Sequence, residues 1–184
     1  MRIIAGEKKG QRLTTPKGDR IRPTEDRIKE NVFNLLYGPF SGVRVLDLFS
    51  GTGHIGIEFL SRGAESAWFC DNHRESLRIT RENIKITGYN DKSRVVEGSF
   101  EHCLGLARNE NTAFDYIYVD PPYANRDFYD RTAHAVAACR LLSQGGRMIF
   151  EAPKDYSFSH YEHLVLVREK SYGKKKILIY ESCD

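Results

Sequence analysis

The chain has 184 residues, 40% of them apolar and 29% charged, with 28 basic against 25 acidic side chains. This is the composition of one globular domain large enough to bury a core, and it excludes a collagen, a coiled coil or a disordered tail. No apolar run approaches the ~20 residues that cross a bilayer, and MRIIAGEKKG lacks the apolar core of a secretory signal, so no membrane partner and a cytoplasmic location are expected.

Residues 2–14 read as a short hairpin, RIIA and QRLTT around the turn-forming EKKG, appended to the main fold. Thr24 is the expected N-cap of a helix that carries Ile28, Val32, Leu35 and Leu36 at helical spacing and ends near Gly38-Pro39. From Val43 onward, short apolar strands alternate with amphipathic helices, which predicts a mostly parallel sheet covered on both faces. The predicted strands are 43–49, 66–71, 93–98, 114–120 and 146–152. A helix is expected over 126–142, where Phe128, Thr132, Ala135, Val136, Cys139 and Leu142 form one stripe and Gly145-Gly146 stops it. The last stretch, HLVLVREKSYGKKKILIYE, predicts an antiparallel hairpin turning at Tyr172-Gly173.

Charge is unevenly spread. Residues 2–22 hold seven basic side chains against two acidic ones, while the rest of the chain holds 21 against 23. Arg2, Lys8, Lys9, Arg12 and Arg20 in such a segment fit a surface that meets phosphates, and charge alone leaves a solvated arm equally open. Cys70, Cys103, Cys139 and Cys183 form no CxxC knuckle, and the six histidines form no HxH or HxxxH pair. Reduced cysteines and no bound metal are therefore expected.

Two motifs carry chemistry. In DLFSGTGHIGIE, Gly51, Gly53 and Gly56 satisfy GxGxxG between a strand and a helix, a place where a ligand approaches the backbone at a helix N-terminus. Asp71, with Asn72 beside it, ends the next strand, about where an acid accepts hydrogen bonds from an adenosine ribose. Asp47, inside an apolar strand, suits the ammonium and sulfonium of an S-adenosyl cofactor and would repel a pyrophosphate; a capping role for it is the less favoured reading. The second motif is Asp120-Pro121-Pro122-Tyr123. Its prolines stiffen the turn and remove donors, so the Asp120 carboxylate and the Pro121 carbonyl can hold both N–H bonds of an exocyclic amine, with Tyr123 stacked on the base. His54 is read as a helix-start residue.

MRIIAG with KG and RL, RPT before a helix ending in FNLL, VLDLFSGTGHIGIEFLSRGA and FDYIYVDPPY together resemble the RsmD-type 16S ribosomal RNA guanine-N2 methyltransferases over essentially the whole chain. The resemblance implies an α/β, Rossmann-like class I S-adenosylmethionine-dependent fold, a seven-stranded sheet with a C-terminal antiparallel hairpin, and a small basic extension over the active face. It implies cofactor contacts from Asp47, Ser50, Gly51, Gly53 and Asp71, target contacts from Asp120, Pro121 and Tyr123, and Arg22 and Thr24 closing over the cofactor. Where related enzymes carry an acid beside the adenine amine, this chain has Ser99, so its hydroxyl or a backbone acceptor at Phe100 is expected there. The implied partner is 16S ribosomal RNA in the small subunit, with no obligate protein partner evident. N6-adenine methylation is the nearest alternative; a nicotinamide-dependent oxidoreductase and a non-catalytic RNA-binding module are more distant ones.

Overall fold

Among the described residues, twelve α-helices and strands follow the alternation anticipated above. They are α1 (Pro23–Leu36), β1 (Arg44–Leu48), α2 (His54–Ser61), β2 (Ser66–Asp71), α3 (Arg74–Thr87), β3 (Ser93–Glu97), α4 (Phe100–Asn109), β4 (Phe114–Val119), α5 (Asp127–Ala138), β5 (Leu142–Pro153), β6 (Leu164–Tyr172) and β7 (Lys175–Ser182). The computed structural model describes residues 1–16, 23–122 and 124–183. Arg20, Arg22 and Tyr123 lie outside the described residues.

The strands form one sheet in the order β3-β2-β1-β4-β5-β7-β6. β1 to β5 run parallel, and β7 enters antiparallel between β5 and β6. Helices on both faces explain why β1 reads as a nearly continuous apolar run: Val45, Leu46 and Leu48 are all fully buried. Alternate residues feed two cores. Leu46, Leu48, Ile117 and Phe150 pack toward α4 and α5, while Val45, Tyr118, Ile149 and Ile179 pack toward α1, α2 and the N-terminal hairpin.

Four expectations change. α1 starts at Pro23, so Thr24 lies in its first turn rather than capping it; proline suits the first helical position, where its missing N–H is not needed. α5 stops at Ala138, because Cys139 caps it and Arg140 turns to φ +48. Leu142 therefore belongs to β5, pairing with Phe114, and Gly145-Gly146 lies inside that strand at a register shift instead of ending a helix. The last hairpin turns one residue later than expected, at Gly173-Lys174.

The fourth change concerns the basic hairpin, which is no appendage and whose tip docks at the end of α2 away from the glycine loop. Ile3 and Leu13 are buried in the second core. Its backbone is bolted to α2: Glu58 Oε2 accepts from Ile4 N–H at 2.9 Å and Oε1 from Ala5 N–H at 3.0 Å. Ser61 Oγ donates to Ala5 O at 2.7 Å and accepts from Lys8 N–H at 3.1 Å. Lys29 of α1 completes the joint, donating to Arg2 O at 2.5 Å and pairing with Glu58 at 3.2 Å. This joint explains why α2, otherwise wholly apolar from Ile55 to Leu60, carries a buried glutamate. Because the hairpin tip meets the C-terminal end of α2, Lys8 and Lys9 sit about one helix length, ~12 Å, from the glycine loop.

Candidate active site

β1 leads outward through β2 to β3, and β4 leads the other way to β5. At such a reversal the loops beyond two adjacent parallel strands part, opening a crevice at their carboxyl ends. The glycine loop after β1 and the Asp120–Pro122 turn after β4 meet there.

The loop is tightly wound, with Phe49 at φ +67, Gly51 at +54 and Gly53 at +75. Its glycines serve different needs. A Cβ on Gly51 would meet nothing within 4 Å, so this residue faces open space. A Cβ on Gly53 would lie 2.9 Å from Thr80 Cγ2, and one on Gly56 would lie 2.4 Å from Phe69. Packing thus requires glycine at both positions.

Two fully buried polar side chains of α3, which the sequence motifs do not include, hold the loop. Thr80 Oγ1 donates to Gly51 O at 2.8 Å, and Asn83 Nδ2 donates to Thr52 O at 2.9 Å and Thr14 O at 3.1 Å. Asn83 Oδ1 accepts from Thr14 N–H at 2.7 Å, so the strand leaving the basic hairpin returns to the glycine loop. A sequence signal existed: Thr80 and Asn83 share the apolar stripe of α3 with Leu77 and Ile84, where a polar residue needs a partner.

Asp47 is 2% exposed, and its Oδ2 accepts from Gly56 N–H at 2.9 Å. It therefore pins the first turn of α2, the capping role less favoured from sequence. Burial raises its pKa to about 7, against the pull of the Gly56 hydrogen bond and with the help of the Asp71 charge. Asp71 is half-buried; Oδ2 accepts from Gly51 N–H and Oδ1 from His73 N–H, each at 2.8 Å. Both oxygens keep a second acceptor site, which suits a vicinal diol. Ser50 is buried, and its Oγ has no hydrogen-bond partner among the described residues. A buried hydroxyl left without a partner fits a group supplied from outside the chain.

Beside Asp71 lies a cleft of about 300 Å³. Phe49, Phe100 and Phe128 line it, with ring centroids 5.0–5.8 Å apart. Asn72, Ser99, Glu101, Pro122 and Asn125 supply its polar and turn-forming rim. Its size and aromatic walls fit an adenine with its ribose on Asp71. Phe49, Phe128 and Asn125 had no assigned site role from sequence, because the stretch after β1 and the stretch that opens α5 meet only in the fold.

Ser99 is the N-cap of α4, accepting from His102 N–H at 3.3 Å. Phe100 opens that helix and lines the cleft beside Ser99. The acid on this wall is Glu101, which pairs with Arg131.

Asp120 is half-buried, Pro121 buried and Pro122 exposed. The carbonyl of Pro122 accepts from Asn125 N–H at 2.9 Å, and no described donor occupies that of Pro121. Thr24 lies in α1. His54 starts α2, and burial with the charges of Lys29, the N-terminus and Lys175 lowers its pKa to about 3, so it is neutral. Arg2, Lys9 and Arg12 are exposed and Lys8 half-buried; Arg2 lies 3.6 Å from Asp26. No helix among the described residues is long and apolar enough to cross a membrane.

A family model described as Conserved hypothetical protein 95 matches residues 1–181. The chain is 32% identical over 182 residues to "Putative rRNA methyltransferase YlbH" of Bacillus subtilis, covering 98% of both chains. It is 32% identical over 152 residues to "Ribosomal RNA small subunit methyltransferase D" of Escherichia coli K12, covering 83% of this chain and 71% of that one. Among solved structures, "Putative methyltransferase yhhF from Escherichia coli" superposes with a TM-score of 0.83 at 27% identity, over 99% of this chain and 97% of the other. The fold is that of class I methyltransferases, whose cofactor is S-adenosylmethionine.

Proposed function

Because the chain belongs to the family described as Conserved hypothetical protein 95, the RsmD-type methyltransferases, we propose that it transfers a methyl group from S-adenosylmethionine to the exocyclic N2 amine of a guanine in 16S ribosomal RNA of the small subunit. The observation that carries this reading is one crevice joining two unlike halves. On one side stand the orphan hydroxyl of Ser50 and the cleft beside Asp71; on the other stands a turn rich in acceptors.

When bound, the cofactor supplies a methyl group on a positively charged sulfur. Asp71 accepts from its ribose hydroxyls beside Asn72, Phe49, Phe100 and Phe128 flank its adenine, and Ser50 and Gly51 meet it along the loop. Asp47 braces the loop from behind, and a nearby ammonium would favour its ionised form. Arg22 and Thr24, at the entry to α1, are proposed to close over it.

At the acceptor end, Asp120 and the Pro121 carbonyl hold the two N–H bonds of the amine. This turns the nitrogen lone pair out of conjugation with the ring and toward the methyl group. Pro122 stiffens the turn and Tyr123 stacks on the base. Asp120 or water takes the proton released after transfer. Acceleration comes chiefly from positioning, with effective molarity in place of a covalent intermediate. Arg2, Lys8, Lys9, Arg12 and Arg20 contact phosphates and set the placement of the RNA rather than base identity. Lys8 and Lys9, at the far end of α2, reach RNA that flanks the target. A ribosomal substrate places the protein in the cytoplasm.

Tritiated methyl transfer to small subunits lacking the modification, followed by nucleoside identification, tests the reading. N2-methylguanosine is the expected product, abolished in Asp120→Ala with cofactor affinity retained. N6-methyladenosine would overturn the guanine assignment, and unchanged turnover in Asp120→Ala would overturn the site.

A further inference from the structure

Glu151 is a 6% exposed carboxylate at the carboxyl end of β5 that the mechanism above leaves unused. Its contacts converge on the acceptor-rich turn. Oε2 accepts from Tyr118 Oη–H at 2.6 Å, and Oε1 accepts from Lys175 Nζ. Its main-chain carbonyl accepts from Tyr129 Oη–H at 3.1 Å. Tyr118 stands two residues before Asp120, and Tyr129 lies in the first turn of α5, just past the loop. One residue thus fastens the polypeptide on both sides of the 120–126 segment.

The sheet register brings Glu151 closer still to the chemistry. Val119 pairs with Phe150, so Asp120 follows directly beside Glu151 at the strand ends. Two carboxylates so placed repel unless a cation offsets them, and Lys175 from β7 supplies that charge. Burial and the charges of Glu151 and Asp120 hold the Tyr118 phenol well above its ordinary pKa, so it stays a proton donor. The network spans three neighbouring strands and is closed by hydrogen bonds at each oxygen, the form in which a buried polar group specifies one geometry.

We propose that Glu151, held by Tyr118 and Lys175, is a positioning residue that fixes the Asp120–Pro122 turn for methyl transfer. The inference rests on the reading of that turn as the acceptor site. Tyr118 and Glu151 act in this proposal through the turn, so their effect falls on the rate of transfer rather than on cofactor affinity.

The test is single-turnover methyl transfer to unmodified small subunits by Tyr118→Phe, Glu151→Gln, the double variant and Asp120→Ala, with S-adenosylhomocysteine affinity measured on each. Tyr118→Phe removes one hydroxyl and leaves no cavity, so it serves even where Glu151→Gln folds poorly. The expected result is a rate lower by about 10- to 100-fold in Tyr118→Phe and in Glu151→Gln, the scale of a misplaced reacting group. Affinity should stay within about twofold, and the double variant should fall no further than Glu151→Gln, because both changes break one unit. A rate within about twofold of wild type in Tyr118→Phe and Glu151→Gln, or a rate that falls in step with S-adenosylhomocysteine affinity, overturns the inference. Turnover retained by Asp120→Ala overturns the acceptor-site reading itself; turnover lost there but kept in Glu151→Gln overturns only the role of Glu151.

Discussion

Replacing Glu58 by leucine should undo the joint between the basic hairpin, α1 and α2. The carboxylate is fully buried and meets Lys29 at 3.2 Å, Arg62 Nε at 3.0 Å and the N–H groups of Ile4 and Ala5. Lys29 is itself only 1% exposed, and burial already lowers its pKa while Glu58 pulls it back up. Removing one partner of such a pair typically costs about 3–5 kcal/mol, because the other charge is left uncompensated. The two N–H groups are partly buried and add about 1 kcal/mol each where water cannot reach them. Arg62 is more exposed and can turn to solvent. A loss of about 4 kcal/mol is a large share of the ~5–15 kcal/mol typical of a domain. With a urea slope of about 2 kcal/mol per molar, the unfolding midpoint should fall by about 2 M. Adding Lys29→Met should restore more than half of the loss, since the stranded ammonium is then gone. Urea unfolding at neutral pH measures both. A loss below about 1 kcal/mol, or a double variant no more stable than Glu58→Leu, would refute the assigned joint.

The glycine loop yields a paired prediction. Gly51→Ala should change stability by about 1–2 kcal/mol, the strain of a left-handed alanine, yet sharply weaken S-adenosylhomocysteine binding, because the new methyl group enters ligand space. Gly56→Ala drives a Cβ to 2.4 Å from Phe69, so its main effect should be lost thermal stability, about 1–3 kcal/mol. Thermal unfolding and cofactor titration of both variants decide the matter, and the opposite pattern would contradict the division of roles. Asp47→Asn tests a titration. The folded-state pKa of Asp47 is raised from 3.8 to about 7, so the native state binds its proton more tightly than the unfolded chain does. Wild-type stability from this group is full below pH 3.8 and declines as pH rises to about 7. The substituted amide does not ionise, so the variant should gain on wild type across that window, by up to about 4 kcal/mol at pH 8. Urea unfolding between pH 5 and 8 should show the two stability curves diverging; parallel curves would sink the assignment.

Much of the architecture was legible because parallel strands buried on both faces leave long apolar runs, and helices between them leave a periodic stripe. β2 from Ser66 to Asp71 falls where the pattern puts it, and the final hairpin is displaced by a single residue. The overrun of α5 to Leu142 has a clear cause. An apolar residue just past a helix end extends the stripe whether it packs from a helix or from the strand that follows, and the left-handed Arg140 that separates the two leaves no compositional mark.

The site divides in the same way. Local motifs announce themselves, so the strand ends that carry Asp71 and Pro122, both of which line the cleft, were readable from their spacing. Residues that act by meeting a distant segment carry no such mark. Phe49, Phe100 and Phe128 form one aromatic slot from three separate stretches of chain. Asn83 joins the glycine loop to Thr14 across 69 positions, and Glu58 turns an apparent appendage into part of the second core. The sequence by itself determined the alternation of elements, the two motifs and the uneven charge, since each depends on neighbours along the chain. Tertiary structure alone decided where the basic hairpin docks, which glycine faces open space and which residue Tyr118 and Tyr129 both bond beside the Asp120–Pro122 turn. Those outcomes depend on space and on buried hydrogen-bond partners, which exist only once the sheet has brought distant segments together.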